Sequence, residues 1–172
     1  MSLAKILGSL IIGLVMISSS CDPQKSNQKK SFTKEELLEA NRDIVNSESD
    51  KIDRYEEYAG LNMKKTSTGL RYSVYHDSEG KSPKKGSLAT LTYKSYLLDS
   101  TLVGDTDVTG ALRFRVEQDD VPSGLHEAVM LLNAGDSARV ILPPHLAYGL
   151  TGTEKIPPNA TLYYDLCLVS IR

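Results

Sequence analysis

Residues 121–168 read VPSGLHEAVMLLNAGDSARVILPPHLAYGLTGTEKIPPNATLYYDLCL. Residues 124–132 form a short helical segment that Ser123 is placed to cap and that Ala134-Gly135 ends. Residues 138–142 and 161–171 are apolar enough, and rich enough in β-branched and aromatic side chains, to be strands. Between them lies a turn-forming stretch in which prolines and glycines surround Tyr148. One helix inserted among strands argues for an α+β domain rather than alternating βαβ units.

Upstream, the same period-two rhythm continues. Leu70, Tyr72 and Val74 alternate with Arg71, Ser73 and Tyr75, which predicts a half-buried strand. Residues 76–87 (HDSEGKSPKKGS) form a polar loop, residues 88–98 a second strand, Asp99-Ser100 a turn, and residues 112–116 a third strand with its apolar face on alternate positions. The expected fold class is α+β: an antiparallel twisted β-sheet wrapped on one short helix, over residues 63–172, with no internal repeat.

Residues 32–62 are expected to be a helical segment. Thr33 and Glu36 form a T-x-x-E capping box, and Phe32 and Leu37 are spaced as a hydrophobic staple. Leu37, Leu38, Ile44, Val45, Ile52, Tyr55 and Ala59 keep a helical period up to Gly60, with a break near residues 46–50 left open. One reading packs this stripe on the domain that follows. The other pairs two copies into a homodimer, although no sustained heptad of the coiled-coil kind is present.

Residues 21–31 are a polar tether, and residues 1–20 have the form of an export signal: Lys5, an apolar run over residues 6–17, then Ser18-Ser19-Ser20-Cys21. The apolar run is too short for a spanning helix, which needs about 20 residues. Small residues before a cysteine resemble the lipobox of bacterial lipoproteins, with Ser18 where Leu or Val is usual. The resemblance implies lipidation at Cys21, a membrane anchor and a cell-envelope location, with inner or outer membrane open. A secretory signal with an incidental cysteine is the plainer alternative. Cys167, on a strand, is expected to fill core.

Composition limits the chemistry. With 22 Asp+Glu against 20 Lys+Arg, the near-neutral chain lacks the basic surplus of a nucleic-acid binder. Its 2 Cys and 3 His fall in no metal-ligand spacing, so neither a metal nor another cofactor is expected.

The chain is similar to the FKBP family of peptidyl-prolyl isomerases. The matching elements are V-x-x-G-x-x-E-A at residues 121–128, a G-D-x-A-R strand entry at 135–139, P-x-x-L-A-Y-G at 143–149 and I-P-P-N-A-T-L at 156–162. The resemblance covers about residues 66–172, and with the signal and helix it is greatest to the gliding-motility-associated isomerase lipoproteins of bacteria. It implies a site of Tyr148 and Tyr93 as catalytic tyrosines, with Leu112, Val121, Pro122, Leu125, Ile156 and Tyr164 binding substrate. Tyr148 stands where the family places a hydroxyl that donates to a substrate carbonyl.

Three departures accompany the match. Leu125 replaces the usual tryptophan floor in a chain with no Trp. Pro122 has no N–H to offer a ligand. Val103 with Gly104 or Asp105 falls where the family has Phe-Asp. The implied function is an exported, membrane-tethered isomerase acting on proline-containing polypeptides and assisting their folding. The alternative is a catalytically weak or inactive FKBP-like binding module in an envelope assembly.

Overall fold

The alternating segments build one antiparallel sheet. The computed structural model describes residues 33–172; the export signal, the tether, Cys21 and Phe32 of the staple lie outside them. Helix α1 (Lys34–Ala59) is followed by strands β1 (Lys64–Lys65), β2 (Arg71–His76), β3 (Leu88–Leu97) and β4 (Leu102–Asp105). A one-turn helix α2 (Thr106–Thr109), strand β5 (Leu112–Arg115), helix α3 (Ser123–Met130), strand β6 (Ser137–Leu142), a 3-10 turn at Pro144–Leu146 and strand β7 (Leu162–Ile171) complete the order. Strands run β1-β2-β6-β7-β3-β4, with β5 also on β3.

Inner residues of the sheet pack on α3. Leu162, Tyr164, Leu166 and Leu168 of β7, Ala89 and Leu91 of β3, and Leu125, Ala128 and Val129 of α3 share one buried cluster. The helix can lie this close because residue 124 is glycine: a Cβ there would meet Leu142 Cδ2 at 2.6 Å and the Leu146 carbonyl at 2.9 Å. That contact is a physical reason for the glycine in V-x-x-G.

Helix α1 is continuous through residues 46–50, so the break left open there does not occur. Only its C-terminal half meets the sheet. Ile52 is buried, the Tyr55 and Tyr163 rings lie 6.0 Å apart, and Thr161 donates a hydrogen bond to Glu48. Arg71, buried on β2, pairs with Glu56 at 2.9 Å and with Asp53, and donates to Ser49 at 3.2 Å. Leu37, Leu38, Ile44 and Val45 remain 49–68% exposed. The stripe therefore runs past the edge of the domain it was expected to cover.

Two further expectations change. Ser123 does not cap α3: it is the first helical residue, Pro122 occupies the cap position, and no side-chain cap bond forms. Cys167 is partly exposed, because β7 alternates and its odd-numbered side chains face the outer side of the sheet. No helix among the described residues is long and apolar enough to cross a membrane.

Candidate functional site

Antiparallel pairing sets a glycine, a serine and a tyrosine in a row across three strands. Ser95 of β3 lies opposite Gly104 of β4 on one side and Tyr164 of β7 on the other. Ser95 is buried at 3% exposure, and a Cβ on Gly104 would stand 2.5 Å from its Oγ and 3.1 Å from Tyr93 Cε2. Glycine at 104 thus leaves room for a serine hydroxyl and a tyrosine ring where a larger residue would collide.

Tyr93 is held through its backbone. Its N–H donates to Thr106 Oγ1 at 2.8 Å, and that hydroxyl donates back to the Tyr93 carbonyl at 3.0 Å. This buried threonine fills the gap in the ladder on β3 between the positions paired with β5 and those paired with β4. The Tyr93 ring meets Tyr164 edge to face, with centroids 5.2 Å apart.

Tyr148, in the loop between β6 and β7, packs against the same cluster. The 3-10 turn before it closes with Gly149 N–H donating to the Pro144 carbonyl at 2.8 Å, and Gly152 N–H returns to the Tyr148 carbonyl at 3.2 Å. Ile156 is fixed by a mutual pairing with Thr153, whose N–H donates to the Ile156 carbonyl at 2.8 Å while its Oγ1 accepts from the Ile156 N–H at 3.1 Å. These hydrogen bonds, together with the buried Leu146 and Ile156, hold the turn in place.

Burial governs the ionisation of the three tyrosines. Burial raises the pKa of Tyr164 and Tyr148 above the ordinary tyrosine range. Burial, and then the neighbouring Tyr148, raises that of Tyr93. The nearby Tyr148 and Tyr93 add to the shift at Tyr164, which a hydrogen bond from Ser95 partly opposes. All three therefore stay protonated through neutral pH and act as donors.

Of the residues anticipated from the sequence, Tyr93, Leu112, Val121, Leu125, Tyr148, Ile156 and Tyr164 pack on one continuous cluster. Leu125, Ile156 and Tyr164 are buried and line the base, whereas Tyr93, Leu112, Val121 and Tyr148 are half-buried around it. Pro122 does not join the cluster and sits at the rim, at the start of α3. Ser95 and Thr106 were missed; the available signal for Ser95 was a polar residue on the inner side of an apolar alternation. Asp105 is committed elsewhere, since its carboxylate caps α2 through Asp107 N–H at 2.8 Å and lies 3.7 Å from Lys94 Nζ.

A groove of about 240 Å³ opens on the outer face of the sheet, among Tyr75, Lys94, Tyr96, Asp165 and Cys167. Its polar groups are already paired, Tyr75 to Asp165 at 2.6 Å and Lys94 to Asp107 at 3.1 Å, so it presents less free chemistry than the tyrosine cluster. Among the described residues no His, Cys, Asp and Glu side chains group as metal ligands. The inner site offers apolar walls and neutral hydroxyl donors. That combination suits a group to be desolvated and hydrogen-bonded rather than attacked.

A family model for the FKBP-type peptidyl-prolyl cis-trans isomerase matches residues 79–169, just over half of the chain. An FKBP-type isomerase called FkpA from Aeromonas hydrophila is 33% identical over 154 residues, covering 87% of this chain and 56% of that protein. The outer membrane protein MIP of Legionella longbeachae is 34% identical over 107 residues, covering 61% of this chain and 45% of that one. The crystal structure of FkpA from Escherichia coli superposes with a TM-score of 0.64 at 26% identity, over 83% of this chain and 74% of that chain. The chain thus spans about half the length of the curated relatives it matches.

Proposed function

Since the chain belongs to the FKBP-type peptidyl-prolyl cis-trans isomerase family, we propose that it interconverts the cis and trans forms of X-Pro bonds in polypeptides and so assists their folding. The observation carrying this reading is the convergence of Tyr93, Tyr148 and Tyr164 on one desolvated, apolar cluster. Rotation about the prolyl bond meets a barrier of about 18–20 kcal/mol because amide resonance favours the planar forms. An apolar pocket that takes the pyrrolidine ring and removes water from the amide favours the less polar twisted state. Tyr148, half-buried and protonated, donates to a carbonyl of the substrate, while Tyr93, backed edge to face by the buried Tyr164, presents an aromatic wall to the ring. Leu112, Val121, Leu125 and Ile156 supply the walls, and Pro122 the rim.

The protein acts in the cell envelope, tethered through a lipid on Cys21, as in the gliding-motility type of lipoprotein. Support comes from the apolar run at residues 6–17, the small residues before Cys21 and the likeness to a protein named for the outer membrane. The exposed Leu37, Leu38 and Val45 of α1 suit pairing with a second copy. Isomerisation of a proline tetrapeptide by the purified protein tests the activity, fatty-acid labelling of cells with and without Cys21→Ala tests the anchor, and sedimentation tests the pairing.

A second reading, a binding module of low activity, draws on Gly104, which brings no carboxylate to the tyrosines, and on Leu125 as the floor. It predicts capture of proline-containing chains without acceleration of exchange.

A further inference from the structure

His126 of α3 stands edge-on to the buried Phe114 ring, with centroids 5.2 Å apart. Both of its nitrogens are engaged by the backbone of the loop that joins β5 to α3. Glu117 N–H donates to Nδ1 at 3.0 Å, and Nε2 lies 3.1 Å from the Asp119 carbonyl oxygen. An amide N–H can only donate and a carbonyl can only accept, so these partners require a bare Nδ1 and a proton on Nε2. The loop specifies one neutral tautomer.

That loop is tight. Glu117 has φ of +58°, a region non-glycine residues seldom enter. Gln118 and Asp119 N–H groups donate to the Arg115 carbonyl at 3.1 and 3.2 Å, and Arg115 N–H donates to the Asp119 carboxylate at 2.7 Å. Val121 N–H donates at 3.0 Å to the same Asp119 carbonyl that His126 approaches. One carbonyl thus links the imidazole to the start of the Val121–Pro122 rim.

We propose that His126 is a positioning residue for the isomerase pocket: as a neutral imidazole it holds the turn at residues 117–119 and thereby sets Val121 and Pro122 against the site. A proton on Nδ1 leaves the Glu117 N–H facing a second donor and releases the rim. The inference rests on the reading of the tyrosine cluster as the isomerase site. The charged side chains of the joining loop are Glu117, Asp119 and Asp120, and those of β5 are Arg113 and Arg115. Glu117 is itself paired with Lys85 at 3.3 Å, the Asp119 carboxylate is taken by Arg115 N–H, and Glu127 on the same helix accepts from Thr68 at 2.7 Å.

The test compares wild type, His126→Asn and His126→Ala in a proline-peptide exchange assay from about pH 8 to about pH 5, the span in which imidazoles commonly titrate. Asparagine offers an acceptor in place of Nδ1 and does not titrate. The expected result is that kcat/KM of wild type falls about five- to tenfold on acidification, the loss of one hydrogen bond, while His126→Asn stays flat and His126→Ala is low throughout. A wild-type profile in His126→Ala, or an acid fall that persists in His126→Asn, overturns the proposal. NMR of the same proteins gives a readout independent of turnover. Amide shifts of Glu117 and Val121 that move in His126→Ala and in acid, but not in His126→Asn, support the positioning role even if the wild type proves silent as an isomerase. Shifts that stay put in all three refute it.

Discussion

Tyr93 and Tyr164 meet edge to face at 5.2 Å between centroids, with their planes at 62°, and this contact joins the strand bearing one wall of the site to the strand bearing its base. Tyr164 is almost fully buried while Tyr93 is half-buried. Tyr164→Ala is expected to cost about 3–5 kcal/mol, as for other buried aromatic truncations, and Tyr93→Ala less. A double-mutant cycle by urea denaturation is expected to return a coupling of about 0.5–1.5 kcal/mol. Additive losses would mean that the rings touch without cooperating.

Gly104 and Ser95 form a complementary small-residue pair. Gly104→Ala drives a methyl into Ser95 Oγ, 2.5 Å from the ideal Cβ position, and overpacking of this kind costs about 1–3 kcal/mol. Adding Ser95→Gly removes the obstructing hydroxyl and is expected to recover most of that loss in chemical denaturation. If Gly104→Ala is as stable as wild type, the close approach is not a constraint on the pocket.

Helix α1 is joined to the sheet by Ile52 and the Arg71 ion pairs, around which one Arg71 nitrogen finds no partner among the described residues. Ile52→Ala is expected to weaken that docking by about 2–5 kcal/mol. Hydrogen exchange should then accelerate in residues 48–56 while the amides of β6 and β7 keep their protection, because the inner cluster does not include Ile52. Uniform acceleration everywhere would instead make α1 part of one cooperative unit with the sheet.

Alkaline stability follows from the tyrosines. Burial, and then the Asp165 carboxylate, pushes Tyr163 up to about 12 from an ordinary value of 10.0. A folded-state pKa above the unfolded one favours the protonated native form, so its stabilisation is complete below pH 10 and is lost as pH rises from there through about 12. Urea midpoints should be level from neutral pH to just below pH 10 and then decline. Tyr163→Phe should flatten part of that decline.

The strands that carry the core were legible because β7 keeps a two-residue rhythm, with Leu162, Tyr164, Leu166 and Leu168 inward, and β6 is a short apolar run buried on both faces over Val140, Ile141 and Leu142. The rhythm of β7 turns Cys167 outward, which the expectation that it fills core overlooked. β4 and α2 escaped notice since each is only 4 residues long, and α2 is tied in by Thr106 bonding to the Tyr93 backbone, a contact between residues 13 apart. The stripe on α1 was legible as a stripe, but its length relative to the sheet edge was not. Aromatic and aliphatic site residues could be named from their motifs. Ser95 left only the signal of a polar residue within an apolar alternation, because its role depends on which residues stand opposite it in neighbouring strands.

The central claim is that neutral tyrosine hydroxyls in a desolvated cluster accelerate prolyl rotation. The direct test is the cis/trans exchange rate of a proline tetrapeptide, measured by NMR with wild-type protein and with Tyr148→Phe at neutral pH. Acceleration well above the uncatalysed rate, reduced about tenfold by loss of the one hydrogen bond from the Tyr148 hydroxyl with folding intact, is expected. Exchange at the uncatalysed rate in both proteins would contradict the account.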